Sequence, residues 1–215
     1  MTVKRPKKGL FITFEGIEGS GKTTQIKALA DWLTSQGRRV LQTREPGGTP
    51  LADRIRKELL DAGNKGMSPR TELFLYEVAR RDHVSEVILP ALSRGDIVLC
   101  DRFTDATLAY QGFGRKIRMR LIEFFNRAAT GGLTPDLTLL IDLPVKDGLE
   151  RAKKRSGSLD RLEQEARIFH ERIRRGYLTL ARKGRRRFVI LDGRKPREQI
   201  FELILRAVES RLRRR

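Results

Sequence analysis

The residues best suited to chemistry lie in one short stretch near the N-terminus, Gly16-Ile17-Glu18-Gly19-Ser20-Gly21-Lys22-Thr23. Its glycines permit backbone conformations in which successive amide groups turn inward around a phosphate. The ammonium of Lys22 can then reach the β- and γ-phosphates of a nucleotide, and the hydroxyl of Thr23 can bind a Mg²⁺ ion that bridges them. The stretch therefore predicts a site for a nucleoside triphosphate with Mg²⁺, and the neighbouring Thr24 belongs to this site.

The surroundings of this stretch match those that such a loop needs. The apolar run Leu10–Phe14 before it indicates a buried strand, and the residues from Thr24 to Ala30 have the pattern of a helix. A helix that begins at the loop directs its positive N-terminal end at the phosphates. A chance glycine turn before a helix is the alternative, but the complete strand, loop and helix pattern argues against it.

The rest of the chain alternates strand and helix signals. Besides Leu10–Phe14, apolar runs predict short strands at 40–43, 97–100, 137–142 and 188–192. Helical patterns lie near 23–35, 51–62, 71–93, 119–129, from 145, at 162–183 and after Pro196. This alternation predicts an α/β fold of three layers, in which a five-stranded, mainly parallel sheet is covered by helices on both faces. Ligands are expected at the carboxyl edge of such a sheet.

Two residues at the end of the third predicted strand fit that edge. Asp101 follows the strand directly and can orient water on a nucleotide-bound Mg²⁺, although an Asp at this place could also simply cap a turn. Arg102 has a planar guanidinium suited to bidentate binding of a phosphate. As a second phosphate clamp, Arg102 would make the protein a kinase whose acceptor is itself phosphorylated.

Composition narrows the partners and the compartment. The chain has 46 basic and 27 acidic residues, a net charge of +19 that favours anionic substrates and can attract nucleic acid nonspecifically. The basic tails at 4–8 and 211–215 carry no aromatic residues, so no specific nucleic-acid partner is expected. No apolar run approaches the ~20 residues of a membrane span. The single cysteine, Cys100, is expected to be a small buried side chain, and we expect a cytoplasmic protein without membrane contact.

The chain resembles the bacterial thymidylate kinases over nearly its full length. Beyond the glycine-rich stretch, the matching segments are 43–49 (TREPGGT), 101–103 (DRF), 108–112 (LAYQG), 135–138 (PDLT) and 159–163 (LDRLE). The first stretch alone indicates only a nucleotide-binding superfamily, whereas its combination with the other segments is specific. The resemblance implies the P-loop NTPase version of the predicted fold. It also implies transfer of the γ-phosphoryl group of ATP to dTMP, which gives dTDP and ADP, and a homodimer.

The same resemblance implies which side chains bind dTMP. It assigns Arg102 to the acceptor phosphate, with Glu18 near that phosphate and the 3′-hydroxyl, and it places Tyr110 against the deoxyribose. The other acceptor residues are Arg44 and Glu45 in the pocket, Arg56 along the base, Tyr76 stacked on thymine, Arg80 on a thymine carbonyl, and Thr107 and Gln111 at the base edge. Tyr76 stands where a phenylalanine is usual. Each residue has a structural alternative, such as a core position for Tyr76 or a helix cap for Thr107.

Catalysis is expected to depend on cations rather than on a general base, because the acceptor phosphate is already largely a dianion at neutral pH. Lys22, Mg²⁺ and Arg102 offset the repulsion between the two anions. Families of this type can carry a further arginine in the phosphate loop, but this chain has Gly19 there. The basic segment 151–161 is therefore predicted to be a lid that supplies the missing cation. Its candidates, between which the sequence does not choose, are Arg151, Lys153, Arg155 and Arg161.

Two other functions stay open at this point. Another nucleoside monophosphate kinase would share the phosphate loop and the lid, although the segments 44–49 and 107–112 argue against it. An ATPase that binds nucleic acid through the basic half of the chain is the more distant alternative. We expect one domain over residues 1–215, with the phosphate loop at 16–23, the monophosphate-binding region at about 44–111 and the lid at about 151–161.

Overall fold

The computed structural model describes residues 9–156 and 160–213, and of residues 155 and 156 it describes the backbone alone. Within these ranges, one sheet contains the strands β1 Leu10–Glu15, β2 Val40–Arg44, β3 Ile97–Asp101, β4 Leu137–Asp142 and β5 Phe188–Asp192. The five predicted strands are confirmed, each with bounds within one residue of the expected ones.

Helices occupy most of the remaining described chain. They are α1 Lys22–Ser35, α2 Pro50–Leu60, α3 Pro69–His83, α4 Leu89–Ser93, α5 Thr104–Thr107, α6 Met119–Thr130, α7 Val145–Ser156, α8 Arg167–Lys183 and α9 Arg197–Leu212. A π-helical turn at Val84–Ile88 joins α3 to α4, and another at Leu108–Gly114 extends α5. A 3₁₀ turn at Ala62–Asn64 follows α2. In this part of the chain, no helix combines the length and the apolar character needed to cross a membrane.

The sheet is parallel throughout, with β1 at its centre and the strand order β2-β3-β1-β4-β5. Phe14 of β1 pairs with Asp101 of β3 on one side and with Leu139 of β4 on the other. Because parallel strands end at the same edge of a sheet, the loop after β1 lies next to the loop after β3. The fold thus brings residues 16–23 beside Asp101 and Arg102.

Side chains of the central strand alternate between two apolar cores. Leu10, Ile12 and Phe14 pack against α1 and α9, whereas Phe11 packs on the opposite side with the helical residues 84–92. A third cluster on that side joins the 108–114 turn to α8. Helices therefore cover both faces of the sheet, which confirms the three-layer prediction. Cys100 is fully buried, as expected.

Two helices begin at residues that their sequences favour. The hydroxyl of Thr49 accepts a 3.0 Å hydrogen bond from the N–H of Ala52 at the start of α2. Ser68 accepts a 3.1 Å bond from the N–H of Thr71 at the start of α3. A proline follows each of these N-cap residues, where its missing N–H removes no helical hydrogen bond.

Two predicted helices need correction. The single helix expected over 71–93 is interrupted by the π-helical turn at Val84–Ile88. The helix expected from 162 begins at Arg167, because the Asp160 carboxylate accepts from the N–H groups of Leu162 and Glu163 and holds a turn there. The helical residues 104–114 belong to no element predicted from the sequence, and two glycines near their end weaken the helical pattern.

Candidate active site

A cavity of about 1110 Å³ opens at the carboxyl edge of the sheet, running from the phosphate loop past β3 towards α2 and α3. Most of the predicted site residues line it: Glu18, Gly19, Ser20, Gly21, Lys22, Thr23, Thr24, Arg44, Glu45, Arg56, Tyr76, Arg80, Asp101, Arg102, Thr107, Tyr110, Gln111 and Arg151. Gly16, Ile17 and Arg161 do not line the cavity. The side chain of Arg155 lies outside the described residues, as do residues 157–159 of the predicted lid, residues 1–8 of one basic tail and residues 214–215 of the other.

The phosphate loop holds its lysine folded over its own backbone. Lys22 Nζ donates to the carbonyl oxygens of Gly16 and Ile17 at 3.1 and 3.0 Å, and it lies 3.3 Å from the Ser20 hydroxyl. Burial, together with the charge of Arg102, lowers the pKa of Lys22 to about 8. Phosphate oxygens in the loop would restore the counter-charge that this buried ammonium lacks.

Thr23 and Asp101 form a pair of oxygen ligands at the mouth of the loop. The Thr23 hydroxyl donates a 3.1 Å hydrogen bond to Asp101 Oδ2, although the two residues are 78 positions apart in sequence. The described residues contain no group of three or more His, Cys, Asp or Glu that could hold a metal alone. Mg²⁺ in nucleotide sites commonly takes one or two protein oxygens and completes its shell with phosphates and water. Thr23 and Asp101 fit such an ion.

Arg102 connects the phosphate loop to α8. Its Nη2 donates to Glu18 Oε1 at 2.9 Å, its Nη1 donates to the Tyr177 hydroxyl at 3.0 Å, and its guanidinium lies 4.8 Å from the centre of the Tyr110 ring. The backbone of Arg102 has φ of +72°, a left-handed conformation that is uncommon for a residue with a side chain. Its N–H still donates to the Phe14 carbonyl at 2.9 Å, so the central strand holds this conformation in place.

Two carboxylates near Arg102, the half-buried Glu18 and the buried Glu15, have pKa values shifted in opposite directions. Burial alone would raise the pKa of Glu18, but the charges of Arg102 and Lys22 and a hydrogen bond from Tyr110 hold it below its ordinary value. Burial, together with the Asp105 carboxylate, raises the pKa of Glu15 to about 8. Glu15 accepts from the Tyr177 hydroxyl at 2.8 Å and from the Phe103 N–H at 2.8 Å. Glu18 thus lines the cavity as an anion. Glu15 lies deeper and holds Tyr177 and Phe103 by hydrogen bonds.

The wall formed by β2, α2 and α3 contributes exposed and half-buried groups. Arg44 is paired with Asp53 at 3.2 Å and stays largely exposed. Arg56 donates to the Pro46 carbonyl at 2.9 Å, and burial and the neighbouring charge of Arg44 lower its pKa. Tyr76 on α3 is half-buried and lines the cavity. The structure therefore does not place Tyr76 fully inside the core, which was the structural alternative for this residue.

Arg80 is almost entirely engaged within the protein. It is 2% exposed, and it donates to Glu45 at 2.7 Å, Glu77 at 2.9 Å and Asn126 at 2.8 Å, as well as to the Phe103 carbonyl. Glu45 in turn lies 3.1 Å from His83 Nδ1. Four of the five guanidinium N–H groups are thus committed, which leaves Arg80 with at most one donor for a ligand.

The base-edge candidates lie on the 104–114 helical segment. Thr107 and Gln111 are both nearly inaccessible, at 2% and 1% exposure, yet both line the cavity. Gln111 Nε2 donates a 2.9 Å hydrogen bond to Glu72 Oε1 on α3. A hydrogen bond to the Glu72 carboxylate therefore fixes the position of the Gln111 amide.

The structure separates the two arginines of the predicted lid whose side chains it describes. Arg151 on α7 is exposed, lines the cavity and makes one long 3.4 Å contact with the Gly193 carbonyl. Arg161 is 3% exposed, donates to the Leu59 carbonyl at 2.7 Å and has Nη2 2.6 Å from Glu72 Oε2. That second contact is a close charge pair without the alignment of a hydrogen bond. Arg161 therefore anchors the residues around Leu162 to α2 and α3.

Sequence reasoning missed several residues that shape the site. Tyr177, Glu72 and His170 belong to no recognisable motif, and their partners are distant in sequence. His170 is 1% exposed, with Nδ1 3.7 Å from Glu18 Oε2. Glu15 could have been predicted from the sequence as a residue near the site, because it ends a buried strand directly before the phosphate loop. The assembled site offers two anion-binding regions that meet at Arg102, with a metal-ligand pair beside the first.

Comparison with known proteins gives consistent matches. A family model described as "Thymidylate kinase" matches residues 14–204. A thymidylate kinase of Geobacter sulfurreducens is 57% identical over 190 residues, covering 86% of this chain and 89% of the relative. One of Geotalea uraniireducens is 52% identical over 209 residues, covering 95% and 98%. The crystal structure of thymidylate kinase from Ehrlichia chaffeensis has a TM-score of 0.76 and 33% identity, covering 94% of this chain and 98% of its own.

Proposed function

The chain belongs to the thymidylate kinase family, and from this premise we propose how its residues divide the work of the reaction. The enzyme transfers the γ-phosphoryl group of ATP to dTMP and forms dTDP and ADP. The position of Arg102 carries the proposal. Its guanidinium contacts Glu18 of the phosphate loop and lines the same cavity as the acceptor residues on α2 and α3. A phosphate bound there would lie between the ATP site and the base pocket.

The phosphate loop and Lys22 would hold the β- and γ-phosphates of ATP. We propose that Thr23 and Asp101 hold a Mg²⁺ ion, which the 3.1 Å separation of their oxygens supports. Such an ion neutralises charge on the transferring group. Lys22 would leave its carbonyl partners for the phosphates when ATP binds, and its positive charge would stabilise negative charge on the leaving oxygen.

Arg102 would bind the acceptor phosphate and bring it in line with ATP. To do so, the guanidinium must share or release its bond to Glu18, which is thereby left to accept a hydrogen bond from the 3′-hydroxyl. Tyr110 donates to the same Glu18 oxygen at 2.5 Å, which supports a position of its ring beside the sugar when dTMP is bound. The ring would crowd a 2′-hydroxyl and favour deoxyribose.

The base would lie between the half-buried Tyr76 and the polar groups of Arg80, Thr107 and Gln111, with Arg56 along it. Arg44 and Glu45 would be further residues of the acceptor pocket. Of the lid arginines whose side chains are described, Arg151 is our candidate for the γ-phosphate, because it is exposed and lines the cavity. Arg161 is our candidate for an anchor of the lid. Arg155 keeps the role predicted from the sequence, as a second candidate for the transferring phosphate.

We propose that two copies pair through an apolar face on α2, α3 and α6. Phe74 and Val78 lie one turn apart on α3 and are 46% and 51% exposed, Phe124 on α6 is 65% exposed and Leu51 on α2 is 40% exposed. The rings of Phe74, Phe125 and Phe124 form a chain of edge contacts at 5.2 and 5.3 Å. An exposed apolar cluster of this kind favours a protein partner, and a two-fold pair would bury the same face on both copies.

The chain is proposed to work as one unit, with the phosphate loop, the acceptor region and the lid serving a single reaction. The cytoplasm is our proposal for its compartment, since ATP is a cytoplasmic metabolite.

ADP formation by the purified chain tests the acceptor. We would measure it with ATP and Mg²⁺ and, in separate reactions, dTMP, dUMP, UMP, dCMP, dGMP or no acceptor. Rapid turnover with dTMP and slow turnover with the others is expected. Preference for a different monophosphate would overturn the base pocket, and equal ADP release without any acceptor would overturn the assignment of Arg102.

A further inference from the structure

Glu72 is a fully buried carboxylate at which three elements meet. Its Oε1 accepts from Gln111 Nε2 at 2.9 Å and from Arg115 Nε at 3.1 Å. Its Oε2 accepts from Arg115 Nη2 at 3.1 Å and lies 2.6 Å from Arg161 Nη2. Burial alone would raise the pKa of Glu72, but the bonds from Arg115 and Gln111 and the charge of Arg161 hold it below its ordinary value. Glu72 is therefore an anion, and every contact described for it comes from a donor.

This arrangement fixes which way the amide of Gln111 faces. An ionised carboxylate can only accept hydrogen bonds, so the amide nitrogen of Gln111, not its oxygen, must lie against Glu72. Gln111 also lines the cavity. None of the hydrogen bonds among the described residues uses the side-chain carbonyl oxygen of Gln111, so this oxygen is available to a ligand as an acceptor.

A second polar group of the pocket, Arg80, has the opposite character. Arg80 can only donate, and four of its five N–H groups are already bound to Glu45, Glu77, Asn126 and the Phe103 carbonyl. Arg80 can therefore offer a ligand in this cavity at most one N–H donor, whereas Gln111 offers an acceptor.

This pair complements one class of pyrimidine. Thymine and uracil present a carbonyl oxygen, O4, next to a donor, N3–H, whereas cytosine presents a donor at the 4-amino group next to an acceptor at N3. We propose that Glu72 is a positioning residue that makes Gln111 an obligatory acceptor and so excludes cytosine from the acceptor site. The proposal rests on the base-edge contact of Gln111 proposed above. A mismatched base would leave buried polar groups unpaired, which is a strong basis for rejection.

The direct test is Glu72→Gln. A carboxamide at position 72 can donate as well as accept, so the amide of Gln111 is free to turn its nitrogen towards the cavity. The dCMP-to-dTMP ratio of dissociation constants, measured by calorimetry, is expected to fall by at least about tenfold, and the dCMP-to-dTMP ratio of kcat/KM is expected to rise by a similar factor. A folded Glu72→Gln protein with the wild-type ratios would overturn the proposal.

Glu165→Gln is the matched control. Glu165 accepts from Arg115 Nη1 at 2.5 Å, so this substitution removes a negative charge from the same network without touching Gln111. Its dCMP to dTMP ratios are expected to equal those of the wild type. An equal loss of discrimination in both variants would show a general loosening of the pocket and would overturn the role of Glu72.

The double variant Glu72→Gln with Gln111→Glu exchanges the two side chains and tests for rescue. Because it keeps one negative charge in the pair, it also provides a test if the single variant fails to fold. The carboxylate introduced at position 111 is an obligatory acceptor, so preference for dTMP over dCMP should return. Failure of the folded double variant to prefer dTMP would overturn the proposal.

A further experiment distinguishes the role of Glu72 from the contact of Gln111 with the base. It measures how the affinity of the wild-type protein for the monophosphate of a halogenated deoxyuridine depends on pH. Such a base loses its N3 proton at lower pH than thymine does, and its affinity relative to that of dTMP at the same pH should fall as that proton leaves. A constant relative affinity would reject the contact of Gln111 with N3. A falling affinity combined with unchanged selectivity in Glu72→Gln would reject the role of Glu72 alone.

Discussion

Arg102 donates a 2.9 Å hydrogen bond to Glu18 Oε1, and this bond joins the first residue after β3 to the phosphate loop after β1. The two residues are 84 positions apart in sequence but lie at the carboxyl ends of paired strands. Both are less than one-fifth exposed. The carboxylate of Glu18 is thus paired with the same guanidinium that we propose binds the phosphate of dTMP.

Replacement of Arg102 tests this site most directly. Arg102→Gln is expected to lower kcat with dTMP by about 10²–10³-fold, because the acceptor phosphate loses a charged donor positioned for it. Arg39→Gln is the control, since Arg39 is 69% exposed and pairs with Asp96 at the opposite end of the sheet. Steady-state kinetics of the two folded variants would decide the matter. Similar kcat values for both would contradict the role of Arg102.

Much of the site follows from local sequence, and the rest depends on contacts between distant segments. Lys22, Thr23 and Asp101 could be predicted because a loop motif and the end of an apolar strand determine their positions. The difference between Arg151 and Arg161 could not, because the partners of Arg161 are Glu72 and Leu59, about ninety to a hundred residues earlier. The same holds for Arg80, whose four hydrogen-bond partners come from four different segments of the chain.

The fold was predictable for a similar reason. Apolar runs that are bounded by polar or glycine-rich residues define the five strands, since burial on both faces of a parallel sheet requires them. The π-helical turns at Val84–Ile88 and Leu108–Gly114 have no comparable signal. Several residues of both turns are buried, and local propensity does not specify a π-helical register.

Nucleotide binding should take up a proton at alkaline pH. Burial and the charge of Arg102 lower the pKa of Lys22 to about 8 in the protein without nucleotide, and bound phosphates would raise it again. The charged form binds, so affinity for ATP should be constant below about pH 8 and fall as the pH rises above it. Calorimetry in buffers of different ionisation enthalpy should detect about half a proton taken up per nucleotide near pH 8.

Lys22→Arg is the control for that experiment. A guanidinium keeps its proton throughout this range, so the uptake linked to position 22 should disappear even if affinity is reduced. Wild-type binding with no proton uptake between about pH 7 and pH 9 would contradict the lowered pKa of Lys22.

The oxygen pair of Thr23 and Asp101 predicts a specific dependence on Mg²⁺. Thr23→Val removes the hydroxyl but keeps the shape of the side chain, so half-maximal activity should require about tenfold more Mg²⁺. Thr23→Ser keeps the hydroxyl and should stay near the wild-type requirement. Titration of activity with Mg²⁺ at fixed ATP compares the three proteins. An equal requirement in wild type and Thr23→Val would remove Thr23 from the metal site.

The apolar face predicts the oligomeric state of surface variants. Phe124→Glu places a charge at the most exposed aromatic residue of this face, 65% accessible, and should convert the pair of chains to single chains. Ile168→Glu is the matched control, because Ile168 is 55% exposed on α8 and lies outside the proposed face. Sedimentation or light scattering at equal concentrations measures both. A monomeric wild type, or a Phe124→Glu protein that stays dimeric, would contradict the proposed interface.

Gly19 explains why this phosphate loop carries no arginine of its own. Its φ is +69°, and a Cβ atom added there would lie 2.1 Å from the carbonyl oxygen of Gly148 and 3.1 Å from Cβ of Arg151. Any side chain at position 19 must therefore displace the first turns of α7, and with them Arg151. Gly21 is the natural comparison, because its φ is +92° but an added Cβ would meet no atom within 4 Å.

Gly19→Ala should consequently be more damaging than Gly21→Ala. Both variants pay the cost of a left-handed conformation, about 1–2 kcal/mol, but only Gly19→Ala adds a clash with backbone, about 1–3 kcal/mol more. Denaturant unfolding measures the difference in stability between them. Equal stabilities would show that α7 yields freely to a side chain at position 19. In that case the close approach of Gly19 and Gly148 would not explain why the phosphate loop carries no arginine at position 19.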